Sequence, residues 1–174
     1  IISNKTMSMV FKFRMLSDEN DRFVRDYEVM YDMSLADFEG FIREDLEYDP
    51  AMTSFFTADD RWNKLREFTL EDMGDMGEEA PVPMASVVLG QLMHRNRDRL
   101  IYQFDMFGDR AYYLELIGAS EAKSGVEYPR VTLSEEPAPD QYDPTMSESE
   151  GSAFDEMMGD FSDFEGDDNY DDEF

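Results

Sequence analysis

The chain has 174 residues, 41% hydrophobic and 14% aromatic, which is enough to bury the core of one domain and too apolar for a wholly unfolded chain. A formal net charge of −27 disfavours direct binding to DNA or RNA phosphate, which relies on Lys and Arg to release counterions, and suits basic partners instead. Cysteine is absent, so disulfides, thiolate zinc sites and cysteine nucleophiles are excluded.

The stretch Met9–Leu16 alternates, with Phe11, Phe13 and Met15 on one side and Lys12 and Arg14 on the other, which predicts a half-buried strand. Residues 17–21, SDEND, read as a turn. The next run repeats the alternation, with Phe23, Tyr27, Val29 and Tyr31 facing one way and Asp26 and Glu28 the other. Together they predict an antiparallel hairpin. A helix follows. Ser34 is placed to cap it, Asp37 stands at the third helical position, and Leu35, Phe38, Ile42 and Leu46 share a face. Glu39, Glu44 and Asp45 are expected on the solvent side, and Asp49-Pro50 to end the element.

Residues 53–68 predict a strand pair around an Ala58-Asp59-Asp60 turn, with a helical turn through Leu65 and Phe68 as the alternative, and residues 71–83 an acidic loop. A short helix is expected from a Ser86 cap, weakened by Gly90. The segment from Asp98 to Gly118 carries a further hairpin. Leu100, Tyr102 and Phe104 alternate with Ile101, Gln103 and Asp105, and Tyr112, Leu114 and Leu116 with Tyr113, Glu115 and Ile117. Phe107, Gly108 and Asp109 form the turn, where Gly108 supplies a positive φ. Residues 119–127 read as a mobile link, and residues 128–133 as a last short strand. These elements predict an α+β domain over residues 1–133, with antiparallel β-hairpins packed against one main helix and one short helix.

After Leu133 the composition changes. Residues 134–174 hold 16 acids and no base, with Pro137, Pro139 and Pro144, and are expected to form a disordered acidic tail. Aromatic and methionine side chains interrupt the acid: Phe154, Met157, Met158, Phe161, Phe164, Tyr170 and Phe174. The first four lie at i, i+3, i+4 and i+7, one face of a helix. A solubility tail has no need of such anchors. A segment that docks in a groove uses them for affinity and its charge for approach.

Catalytic candidates are few. His94, the sole histidine, is best explained as a surface residue near the end of the short helix. Asp105 and Asp109 flank the turn as a carboxylate pair, but Asp109 suits the turn itself. Asp160, Asp163 and Glu165 miss the spacing of a calcium loop. No cofactor or specific metal is expected. Arg95, Arg97, Arg99, Lys64 and Arg66 are local basic spots, best read as balancing nearby acids or clasping part of the tail, with RNA contact as the alternative.

The order of elements, together with Asp105-Met106-Phe107-Gly108-Asp109-Arg110-Ala111-Tyr112-Tyr113, resembles the plasmid pRiA4b ORF-3-like family over roughly residues 9–133. That family's late hairpin carries Tyr-Asp, Trp and His around a Phe-Gly-Asp core, of which this chain keeps the core alone. Its Cys- and Gly-rich segment is also replaced here. The resemblance implies an α+β fold and no defined activity. Charge and tail then lead to a non-enzymatic regulatory protein that binds a basic nucleic-acid machine, such as RNA polymerase or the ribosome, in the bacterial cytoplasm. Its polyanionic tail is expected to compete with nucleic acid. The alternatives are a small hydrolase or metal-dependent enzyme at the Phe-Gly-Asp hairpin, and a mobile-element accessory protein. No membrane contact is expected, since no apolar run is long enough to span a bilayer.

Overall fold

Period-two alternation of large apolar and charged residues builds most of this molecule, because a strand so patterned buries one face and solvates the other. The computed structural model describes residues 8–72, 80–105 and 109–142. In chain order the elements are β1 (Met9–Ser17), β2 (Val24–Met30), α1 (Leu35–Leu46), β3 (Ser54–Ala58), β4 (Lys64–Thr69), β5 (Val82–Pro83), a 3-10 turn (Met84–Ser86), α2 (Leu89–Leu92), β6 (Arg99–Gln103), β7 (Ala111–Glu121) and β8 (Arg130–Glu135).

The eight strands form one sheet in the order β5-β4-β3-β6-β7-β1-β2-β8. Every neighbouring pair is antiparallel except β4 and β5. The predicted α+β architecture, with hairpins packed on one main helix and one short one, is therefore what the chain adopts. β1 and β7 lie centrally and join the β1–β2 hairpin to the rest, with Phe13 opposite both Tyr27 and Leu116.

Helix α1 covers one face of the sheet. Ser34 caps it by accepting the Asp37 N–H at 3.0 Å. Glu47, in the left-handed region at φ 59°, closes it by donating its N–H to the carbonyls of Arg43 and Glu44. Leu35, Phe38, Ile42 and Leu46 are buried, as their spacing predicts. Phe38 lies 5.2 Å from Phe13 of β1, 5.8 Å from Phe55 of β3 in a stacked arrangement, and 6.4 Å from Tyr27 of β2 edge-on.

The opposite sheet face is polar and pairs its charges across strands. Arg99 sits opposite Glu115, Glu115 opposite Arg14, and Arg14 opposite Asp26. The row thus alternates in sign over β6, β7, β1 and β2. Arg14 grips Asp26 with two bonds of 2.8 Å, and this bidentate contact raises the guanidinium pKa. Asp26 is buried despite its charge, because it is paired.

Four local expectations are corrected. Glu39, expected in solvent, is fully buried, with Thr53 and Tyr102 of β6 against its carboxylate. The helix expected from Ser86 is one turn, Leu89–Leu92. Val87 and Val88 ahead of it are held extended, with the Val87 carbonyl accepting the Leu35 N–H and Val88 bridged to Ser34. Ser86 donates to the Pro83 carbonyl instead of capping. Residues 119–121, read as a link, continue β7 against β1, with Met9 opposite Glu121. β8 runs to Glu135 and the compact unit to Pro139, beyond the predicted boundary at Leu133. The remaining unit spans Asp140–Phe174.

Phe38→Ala is expected to destabilise the protein by about 3–5 kcal/mol, as a cavity between three strands would, whereas Ser34→Ala costs about 1 kcal/mol through the lost cap. Urea denaturation followed by far-UV circular dichroism measures both; equal effects would contradict this account of the core.

Candidate functional site

Polar groups buried among the aromatic core are the costliest feature of the molecule unless each is bonded, and among the described residues each is. Glu39 carries a carboxylate into the α1–sheet interface. Its Oε2 accepts the Tyr102 hydroxyl at 2.7 Å and the Thr53 hydroxyl at 3.1 Å, and its Oε1 accepts Arg43 Nε at 3.3 Å. Burial, then the neighbouring Glu39 charge, pushes the Tyr102 phenol far above its ordinary range. A second cluster lies toward the end of α1. Asp45 Oδ2 accepts the Tyr27 hydroxyl at 2.7 Å and Arg25 Nε at 3.2 Å. Arg25 also donates to the Glu135 carbonyl at 2.9 Å, which ties the end of β8 to the helix. Burial and Asp45 together raise the Tyr27 pKa. In a third, Tyr48 donates to the Pro139 carbonyl, and the Tyr112 hydroxyl lies against Tyr48 with its pKa raised by burial. Among the described residues no buried side-chain nitrogen or oxygen lacks a partner.

Glu39 and Thr53 bring this network to the wall of a cavity. A hollow of about 230 Å³ lies where β3, β4 and β6 end, lined by Met52, Thr53, Ser54, Glu67, Thr69 and Gln103 together with Ala51, Leu70 and Glu71. Such a volume is below that of drug-sized or nucleotide pockets and matches a single side chain or small fragment. A broader, more open depression of about 650 Å³ lies between the β3–β4 turn and the loop before β6, lined by Asp59, Asp60, Leu65, Arg95, Arg97 and Asp98 among others. Its acids are largely engaged in local structure. Asp59 accepts the N–H groups of Arg61 and Asn63 and the Asn63 amide, and these bonds lower its pKa. Asp98 accepts the N–H groups of His94 and Arg95.

The residues singled out from sequence fall as follows. Phe107 and Gly108 of the turn motif, and Phe154, Met157, Met158, Phe161, Phe164, Tyr170 and Phe174 of the tail, lie outside the described residues. Asp109 is exposed and Asp105 half-buried; neither lines the two cavities. Beside them Arg110 holds Glu19 through two bonds of 2.9 Å and lies over the Phe104 ring. His94 is exposed, past the end of α2. Arg99 pairs with Glu115 at 3.2 Å and covers Trp62, and Arg95 pairs with Asp98 at 3.7 Å, as expected of basic spots that balance acids; Lys64 instead lies over Phe56 and bonds Gln103, and Arg66 lies over the Phe68 ring. Among the described residues no group of metal-ligating side chains gathers to hold an ion. Sequence reasoning missed Glu39, Glu67 and Glu71. The sole signal for Glu39 was its position one residue from the apolar face of α1.

No family model and no curated protein matches the chain. Among solved structures it is similar to the crystal structure of MM3350, a protein of unknown function from Methanosarcina mazei Go1. The TM-score is 0.65 at 17% identity, covering 78% of this chain and 75% of that one. At that identity the likeness establishes a shared fold. No helix among the described residues is long and apolar enough to cross a membrane.

The tyrosine network sets an alkaline limit. Tyr27, Tyr102 and Tyr112 ionise with more difficulty folded than unfolded, where the phenol pKa is near 10.0. The folded state therefore keeps more protons above that value. Stability contributed by these groups is complete below about pH 10 and is lost as pH rises beyond it. Absorbance at 295 nm should show these three phenols titrating only as the protein unfolds. Tyr102→Phe should flatten the decline in urea midpoint between about pH 10 and 11.5. A smooth titration of all nine tyrosines at pH 10 in the folded protein would refute it.

Proposed function

We propose that this protein is a non-enzymatic regulator whose folded body anchors on a basic nucleic-acid-binding assembly while its polyanionic C-terminal segment competes there with nucleic acid. The observation that carries this reading is the partition of charge. Beyond the last described residue, residues 143–174 hold 13 acids and no base, together with all seven apolar anchors. Within the described body, by contrast, seven arginines are matched to carboxylates. A polyanion with spaced aromatics suits a cationic groove, and RNA polymerase and the ribosome both offer one. Phe154, Met157, Met158 and Phe161 are the anchors in this reading, and the acidic run after them substitutes for phosphate.

The end of the compact unit at Pro139 decides how the segment is best removed. Cutting at Ser134 would delete the end of β8 and the carbonyl that Tyr48 engages. Cutting after Tyr142 spares both. Purified RNA polymerase core and ribosomes should bind the fluorescently labelled full chain at low salt. Affinity should fall at least about tenfold between about 50 and 200 mM salt, since ion release drives such contacts. The chain ending at Tyr142 should lose competition with a DNA or RNA oligonucleotide. If neither assembly binds the full chain at about 50 mM salt, the reading is wrong.

A further inference from the structure

The side chains lining the hollow at the ends of β3, β4 and β6 are mostly acceptors, the exception being the Gln103 amide nitrogen, which donates to the Asp105 carbonyl at 3.3 Å. Three hydroxyls line it, and each directs its one proton into the protein: Thr53 to Glu39 Oε2 at 3.1 Å, Ser54 to Glu67 Oε2 at 3.0 Å, and Thr69 to the Glu71 carbonyl at 2.8 Å. What remains toward the hollow on these groups is lone pairs. Two carboxylates join them. Among the described residues Glu67 has Ser54 as its bonding partner and no cation, and the Glu71 carboxylate is reached by neither a hydrogen bond nor an ion pair. Lys64, beside the hollow, places its Nζ over the Phe56 ring and on Gln103 Oε1 at 2.9 Å rather than on either carboxylate. The remaining wall is aliphatic, with Ala51, Leu70 and Met52, the last 49% exposed.

A wall dominated by acceptors, with two unmatched negative charges, calls for a ligand that is all donor. An ammonium has three donors and no acceptor, a guanidinium five and none. The aliphatic wall calls for a hydrocarbon stem behind that head, and about 230 Å³ limits the ligand to one such group. We infer that this hollow is a binding site for a long-stemmed organic cation, with Glu67 and Glu71 receiving the charged head and Met52 and Leu70 flanking the stem. The inference deepens the proposed function and rests on it for the source of the cation, a lysine or arginine side chain of the basic partner. A free aliphatic diamine shares the chemistry, and the experiment separates the two sources.

The test uses the full chain labelled with ¹³C in its methionine methyl groups, the Met52 signal being assigned by Met52→Leu. Three probes are titrated at about 150 mM salt, where diffuse attraction to the acidic segment is screened. They are acetyl-Gly-Lys-Gly-amide, the same peptide with norleucine for lysine, and 1,5-diaminopentane. The lysine peptide should shift Met52 saturably and the norleucine peptide should not. Glu71→Gln, whose side chain supports no bond in the fold, should weaken binding about tenfold, and adding Glu67→Gln should abolish it. Unchanged circular dichroism excludes misfolding as the cause. A Met52 shift from the diamine alone supports the cation site with a free amine as its source. No Met52 shift from any probe, or equal shifts in the wild type and the double variant, overturns the inference. Capture of the nucleic-acid machine by the double variant as strongly as by the wild type would place the anchor elsewhere and leave the proposed function standing. Failure of the full chain to capture any such assembly, with the Met52 shift intact, would do the reverse.

Discussion

One aromatic ring sets the geometry on which the rest depends. Phe38 touches Phe13, Tyr27 and Phe55, which belong to strands with β6 and β7 between them in the sheet. Strands three places apart would stand about 14 Å from each other in a flat sheet. Here two of their rings both lie within 6 Å of the same side chain. Side chains of this sheet face therefore converge on Phe38, and a single twelve-residue helix serves as the second layer for strands on both sides of β6 and β7. Convergence also explains why Glu39, next to Phe38, has no route to water. The position that completes the aromatic contact carries its neighbour into the interface.

Once inside, Glu39 must be neutralised or fully bonded, and the chain does both with Arg43 one turn on and hydroxyls from Thr53 and Tyr102. Those same bonds shape the adjoining hollow. Because Thr53 turns its proton inward to Glu39, it turns lone pairs outward. The acceptor character of the hollow is thus a by-product of how the core satisfies a buried charge. Core and surface chemistry are coupled here through one hydroxyl.

Much of this was legible from period alone. The β1–β2 and β3–β4 hairpins, the Ser34 cap and the apolar stripe of α1 follow from two- and four-residue spacings, which local sterics enforce. What escaped was set by distant partners. Val87 and Val88 stay extended because Ser34 and Leu35 pair with them, and nothing near Ser86 in sequence reports that. Glu39 looks like any helix-surface acid until Tyr102, far along the chain, lies against it. The acceptor-lined hollow was invisible for the same reason, since it depends on which way three hydroxyls turn. Residues 119–121 have the composition of a linker, yet β1 offers them an unfilled edge and they pair with it.

The charge balance follows from the same bonding. Of the 15 basic residues, seven arginines are held by carboxylates within the described body: Arg14, Arg25, Arg43, Arg95, Arg99, Arg110 and Arg130. Each such pair withdraws one cation from long-range electrostatics, because a close pair presents a dipole to its surroundings and not a charge. Because each pair cancels one acid with one base, the surplus of 27 acids is untouched by this pairing, and it is concentrated over residues 143–174, which contain no base. Self-repulsion of this kind costs a protein stability unless something outside supplies positive charge. A basic surface does so with fixed charges, and ions released from both partners then favour association. Within the described body, Glu67 and Glu71 retain unmatched charge beside the hollow, so a basic partner meets there a point where charge and shape coincide.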